Sequence, residues 1–109
     1  MSDDLRAPIF TASLDLCVWI LTKARAQPQD ILARELAVAA LRLLDAVTLA
    51  LKNIDRASAL EDADLILLRL RLRLRLAVET AWLTERQGHF ALALADDIGR
   101  QLGGWQKHL

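Results

Sequence analysis

The sequence predicts an all-α protein, an antiparallel up-and-down four-helix bundle, and three observations carry that expectation. Only 4 Gly and 2 Pro occur in 109 residues, so long stretches run without a helix breaker. Four Leu- and Ala-rich segments remain between the polar gaps, with apolar residues recurring three and four positions apart. The links between them are short, which forces chain neighbours to lie antiparallel. Residues 1–109 read as a single domain with no internal repeat.

The first helix is expected over residues 9–26. It follows Pro8, a residue tolerated in a first turn, and carries Phe10, Leu14, Cys17 and Leu21 on one stripe, with Pro28 closing it. The second, over 29–53, places Leu32, Leu36, Ala40, Leu43, Val47, Leu51 and Ile54 within one arc. Ser58 with Glu61 three residues on matches a capping box, so the third helix is expected over 59–82. Thr84 with Gln87 repeats that logic and opens a fourth helix over 85–103. Its apolar face holds Ala91, Leu94, Ala95, Ile98, Leu102 and Trp105, and Gly103-Gly104 loosens its last turn.

Composition removes several classes of protein. Hydrophobic residues make up 54% and charged residues 26%, as in a soluble globular chain. Fourteen Lys and Arg balance fourteen Asp and Glu, which excludes a general nucleic-acid binder held by bulk charge. The balance is uneven along the chain: residues 1–64 hold 7 basic and 10 acidic side chains, residues 65–109 hold 7 and 4. The single cysteine, Cys17, allows no internal disulfide, which suits a reducing, cytoplasmic setting. The acidic start Met1-Ser2-Asp3-Asp4 leads into no apolar h-region, and no run of about 18 uncharged apolar residues exists. Neither a signal peptide nor a membrane span is expected.

Residues 68–76 alternate strictly: Leu68-Arg69-Leu70-Arg71-Leu72-Arg73-Leu74-Arg75-Leu76. Period-two alternation is a strand signal, but Leu and Arg are good helix formers and none of the nine residues is β-branched. On a helix turning about 100° per residue, the segment shows two apolar stripes, Leu70 with Leu74 and Leu72 with Leu76. They are nearly opposed and separated by two arginine stripes, Arg69 with Arg73 and Arg71 with Arg75. One stripe suffices for an intramolecular core, so the other is expected to meet a further copy of the chain. The arginines pair along the helix, Arg75 with Glu79 for example, or face phosphate. Repeated around an assembly axis, they would make a neutral protomer locally positive.

No constellation for catalysis or metal binding is present. His89 and His108 lie at no metal-ligand spacing, and Asp96 and Asp97 point about 100° apart on a helix. No metal-protease, CxxC, phosphate-loop or nucleophile-elbow motif occurs. Cys17 sits on an apolar stripe and reads as a small buried hydrophobe. A non-enzyme without cofactor or metal is expected. Three Trp, two Phe and no Tyr offer little platform for base stacking, leaving phosphate contact as the mode for any nucleic acid.

The end of the chain has an unusual texture for a helix: Asp97-Ile98-Gly99-Arg100-Gln101-Leu102-Gly103-Gly104-Trp105-Gln106-Lys107. Together with Arg75-Leu76-Ala77 and Leu83-Thr84-Glu85-Arg86-Gln87, it resembles the Avd family, the accessory proteins of diversity-generating retroelements. That family is in turn similar to the four-helix proteins encoded in intervening sequences of bacterial ribosomal RNA genes. The resemblance implies a ring-like pentamer of four-helix bundles that partners the retroelement's reverse transcriptase and contacts template RNA during mutagenic cDNA synthesis. It further implies Arg75, Arg86, Arg100 and Lys107 as contact residues, with Arg69, Arg71 and Arg73 as additional candidates. Gly99, Gly103, Gly104 and Trp105 form the structural part of the motif. Gly99 and Gly103, four apart, would also permit close approach of another backbone. The alternative is a structural or adaptor bundle without nucleic-acid contact, as in the intervening-sequence proteins.

Overall fold

A computed structural model describes residues 7–107, which form four helices and, among these residues, no strand: α1 (Pro8–Arg25), α2 (Ile31–Leu51), α3 (Arg56–Glu79) and α4 (Glu85–Gln106). The Arg-Leu run is helical throughout. Helices of 18 to 24 residues span about 27–36 Å at about 1.5 Å per residue. The longest dimension of the molecule is 39 Å, so all four lie along one axis. Each packs against its neighbours in the chain, and α4 returns to α1, leaving α1 and α3 on opposite corners.

The core is built from large side chains set among alanines. Ile9, Leu16, Ile20, Leu36, Leu43, Val47, Leu60, Leu67, Leu70, Leu74, Ile98 and Leu102 are fully buried, and Ala40, Ala50, Ala63, Ala77, Ala91 and Ala95 fill the narrow places between helix backbones. Half-buried Phe10, Trp19, Trp82 and Trp105 close its edges. No helix among the described residues is long and apolar enough to cross a membrane.

Local chemistry sets the helix ends, and several differ from the sequence expectation. Pro8 occupies the first turn of α1, which stops at Arg25, three residues before Pro28. The carboxylate of Asp30 accepts the Ala33 amide at 2.9 Å and starts α2 two residues later than expected. The α2 end is a Schellman closure: Asn53 is left-handed with φ 57°, and the Ile54 amide reaches back to the Leu49 carbonyl at 2.9 Å. Ile54 therefore lies outside α2 and is exposed rather than part of its apolar arc. The helix α3 begins at Arg56 and not beyond Ser58, because the Asp55 carbonyl already accepts the Ala59 amide at 2.9 Å. Ser58 is exposed within the first turn and caps nothing.

The end of α3 is the least expected of the four. It stops at Glu79, three residues short of the expected end at residue 82. Ala81 takes a left-handed conformation, φ 62°, while the Trp82 amide donates to the Ala77 carbonyl at 2.9 Å. An alanine there pays about 1–2 kcal/mol for its Cβ, while glycine is more costly to order by about 0.4–1 kcal/mol. Ala81→Gly is accordingly expected to raise stability by about 0.5–1 kcal/mol, read as a higher denaturation midpoint at unchanged slope. The capping box opening α4 is present in both directions: the Gln87 amide donates to Thr84 Oγ1 at 3.1 Å, and the Thr84 amide donates to Gln87 Oε1 at 3.0 Å. The helix then continues through Gly103-Gly104 to Gln106, beyond the expected end at residue 103.

The inward stripe of α1 is also displaced. Ile9, Ala12, Ser13, Leu16, Cys17 and Ile20 are buried, whereas Leu14 is exposed and Phe10 and Leu21 lie at the edge. Of the expected stripe only Cys17 is fully inside. The reason is that α1 is apolar on most of its circumference, so periodicity alone does not single out the face turned inward.

Candidate polymerase or nucleic-acid interface

The structure resolves the ambiguity of the Arg-Leu run. Leu70 and Leu74 are 0% exposed, whereas Leu72 is 60% and Leu76 45% exposed. Leu65 and Leu68 extend the outer stripe toward the helix start. Residues 70 and 74 are therefore core, and 72 and 76 surface.

The four arginines of the run divide in the same way. Arg71 leans onto α4: its Nε lies 3.2 Å from Asp96 Oδ1 and its Nη2 donates to the Ala95 carbonyl at 3.5 Å. Arg73 leans the other way, onto α2, with Nη2 3.6 Å from Glu35 Oε1, while its Nη1 donates to the Arg69 carbonyl at 3.3 Å. Arg69 and Arg75 are exposed, and neither has a carboxylate within 4 Å among the described residues. The expected Arg75–Glu79 pair along the helix is not formed; both arginines of the run that do pair reach across to another helix.

Three further basic candidates fall on a single line. Arg86, Arg100 and Lys107 are spaced fourteen and seven residues apart in sequence, with Ala93 at the intervening step, and seven residues are nearly two full turns of a helix. All three are exposed on the outer face of α4. Arg100 is tethered within its own helix, Nη2 to Asp97 Oδ1 at 3.2 Å, and Gln101 holds the other carboxylate oxygen at 3.1 Å. Arg86 and Lys107 have no carboxylate within 4 Å among the described residues.

The glycines and Trp105 have distinct roles. A Cβ on Gly99 would stand 2.6 Å from Arg71 Nη2 and 3.4 Å from Leu67 Cδ2, so Gly99 makes room for the arginine crossing from α3. Gly103 and Gly104 face nothing within 4 Å, so within the chain the expected close approach at Gly103 does not occur. The tight contact lies instead at Gly88, where a Cβ would run into the Cγ2 methyl of Val78. The sequence signal for it was a glycine inside a helix just after a capping box. Gly88→Ala is expected to cost about 1–3 kcal/mol by overpacking, less about 1 kcal/mol returned by the higher helix propensity of alanine. Val78→Ala in the same chain should relieve the clash, which a double-mutant cycle in denaturant reads directly. Trp105 is half-buried, with the Arg56 guanidinium 4.5 Å from its ring centre, and ties the end of α4 to the start of α3.

Cys17 is buried, and desolvation, with a smaller contribution from the Asp45 charge, raises its thiol above the ordinary value. The thiolate needed for nucleophilic work is thereby disfavoured. His89 is exposed on α4; His108 lies outside the described residues. Among the described residues no group of three or more His, Cys, Asp or Glu is placed to hold a metal.

An all-helical chain with a tightly filled core and a line of basic side chains on one outer face has the form of a binding protein. The chain belongs to the bAvd-like family, an accessory-protein family, whose model matches residues 13–109. No curated protein and no solved structure matches it.

Proposed function

We propose that this chain is a noncatalytic accessory protein of a diversity-generating retroelement, which binds the element's reverse transcriptase and template RNA in the cytoplasm and supports mutagenic cDNA synthesis. Its working form is a ring-like homo-oligomer, a pentamer by resemblance to the family, of antiparallel up-and-down four-helix bundles. Connections of four or five residues between helices support that topology. The observation that carries the functional reading is the exposed line Arg86, Arg100, Lys107 on α4, inside the region matched by the family. Set side by side in an assembly, such lines sum to a positive surface although each chain is formally neutral. Arg69 and Arg75, exposed on α3, add to it. Arg71 and Arg73 remain candidates whose charges are already engaged by Asp96 and Glu35.

The net charge of zero and the two engaged arginines favour a second reading, an adaptor that meets the polymerase protein and no RNA. A titration of the oligomer against template RNA, with and without the cognate reverse transcriptase, separates the two. Salt-sensitive RNA binding by the oligomer alone supports the first reading. Binding only to the polymerase supports the adaptor, and binding to neither overturns both.

A further inference from the structure

Two apolar faces of the chain are left uncovered, and they lie on opposite corners. On α3, Leu65, Leu68, Leu72 and Leu76 fall within about 40° of one direction, and Leu68 and Leu72 are 61% and 60% exposed. On α1, Leu14 and Val18 are exposed, Val18 by 55%, beside the half-buried Trp19. The helices α1 and α3 do not touch, so one chain cannot cover its own two faces. Contiguous apolar stripes of this kind are unusual on a soluble monomer.

The charges at their margins are complementary. Arg69 and Arg75 flank the α3 stripe about 60° to either side, and neither has a carboxylate within 4 Å among the described residues. Asp15 sits beside Val18 on the α1 face and is exposed, with no cation within 4 Å among the described residues. Two α3 faces set against each other would bring the uncovered arginines Arg69 of both copies close to the centre of the contact. An α3 face set against an α1 face brings arginine to aspartate.

We infer that the α3 outer face of one copy docks on the α1 outer face of the next, a head-to-tail contact between two different surfaces of the same chain. This inference deepens the assembly part of the function proposed above and rests on it. A head-to-tail contact closes into a ring when its two surfaces are inclined toward one side, and otherwise runs on as a filament. Here both lean toward α4. The α3 stripe continues into a groove shared with Leu92, and Trp19 on the α1 face stacks against Phe90, ring centres 5.7 Å apart. Successive copies therefore turn toward their α4 sides, which gathers the lines of Arg86, Arg100 and Lys107 on the inner side of the ring.

The test uses the full chain and two variants, Leu72→Glu on α3 and Val18→Glu on α1, each checked for an unchanged helical circular dichroism spectrum. If either glutamate disturbs the fold, Leu72→Ser or Val18→Ser replaces it. Light scattering is expected to give a discrete oligomer for the unmodified chain and the single-chain mass, 12.2 kDa, for each variant alone. Mixed in equal amounts, the two variants still hold one intact face of each kind, so they should pair into a species of twice the single-chain mass and no larger. A face-to-face contact between identical surfaces predicts otherwise: Leu72→Glu dissociates the protein, Val18→Glu does not, and mixing restores nothing. That result, a monomeric unmodified chain, or a mass that grows without limit with concentration would overturn the inference. None of these readings involves RNA or polymerase, so failure to bind either is a separate outcome.

Discussion

Leu70→Ala and Leu74→Ala are each expected to lower folding stability by about 2–5 kcal/mol, whereas Leu68→Ala and Leu72→Ala, on the opposite side of the same helix, should change it by no more than about 0.5 kcal/mol. The four substitutions remove the same atoms. They differ in that Leu70 and Leu74 are wholly enclosed, so truncation leaves a cavity among Leu67, Ile98 and the other core side chains, while Leu68 and Leu72 stand in solvent. Because subunit association also shifts apparent stability, the comparison belongs in the Val18→Glu chain, where each copy is expected to stand alone. Urea midpoints at constant slope give the four values. Equal destabilisation at all four positions would mean that both stripes are buried.

The second large effect concerns binding. Replacing Arg86, Arg100 and Lys107 together by Gln should weaken association with RNA across all sequences and reduce the salt slope by about 2, since each single-strand phosphate left without its cation lowers the slope by about 0.7. All three side chains are exposed, so the folded stability should hardly move. Arg71→Gln and Arg73→Gln form the contrasting pair. Their guanidiniums bridge α3 to Asp96 on α4 and to Glu35 on α2, so their removal should be felt in helix packing with little change in slope. Both ion pairs are partly solvent-exposed, which limits the stability change to about 0–1 kcal/mol each. A slope unchanged in the triple variant, and reduced in the Arg71 and Arg73 variants, would move the interface from α4 to α3.

Features of the chain that rest on local chemistry were legible from its residues alone. The capping box of Thr84 and Gln87 needs only atoms three residues apart, and it forms as expected. The preference of the Arg-Leu run for helix over strand follows from the propensities of Leu and Arg and from the absence of β-branched residues, and the run is helical. The inward residues Leu36, Ala40, Leu43, Val47 and Leu51 of α2 were also legible, because polar residues separate that arc from the rest of the helix. The burial of Cys17 followed in the same way.

Other features were decided only by the tertiary structure, and each involves a choice among locally equivalent options. Both stripes of α3 are made of leucine, so nothing local distinguishes Leu70 from Leu72; packing against α2 and α4 turns the first inward. The same holds for α1, where Leu14 and Leu16 are alike in sequence and differ in burial. Ala81 adopts a left-handed conformation without a glycine or asparagine to announce it, because the chain must turn there for Trp82 and Leu83 to reach the core. Gly88 matters for the position of Val78, ten residues away on another helix, and Gly99 for that of Arg71. Local sequence sets which residues can be helical and which faces can be apolar. Among nearly degenerate faces and turns, the selection is made by side-chain volume packed between helices, a property of the whole core that no single segment contains.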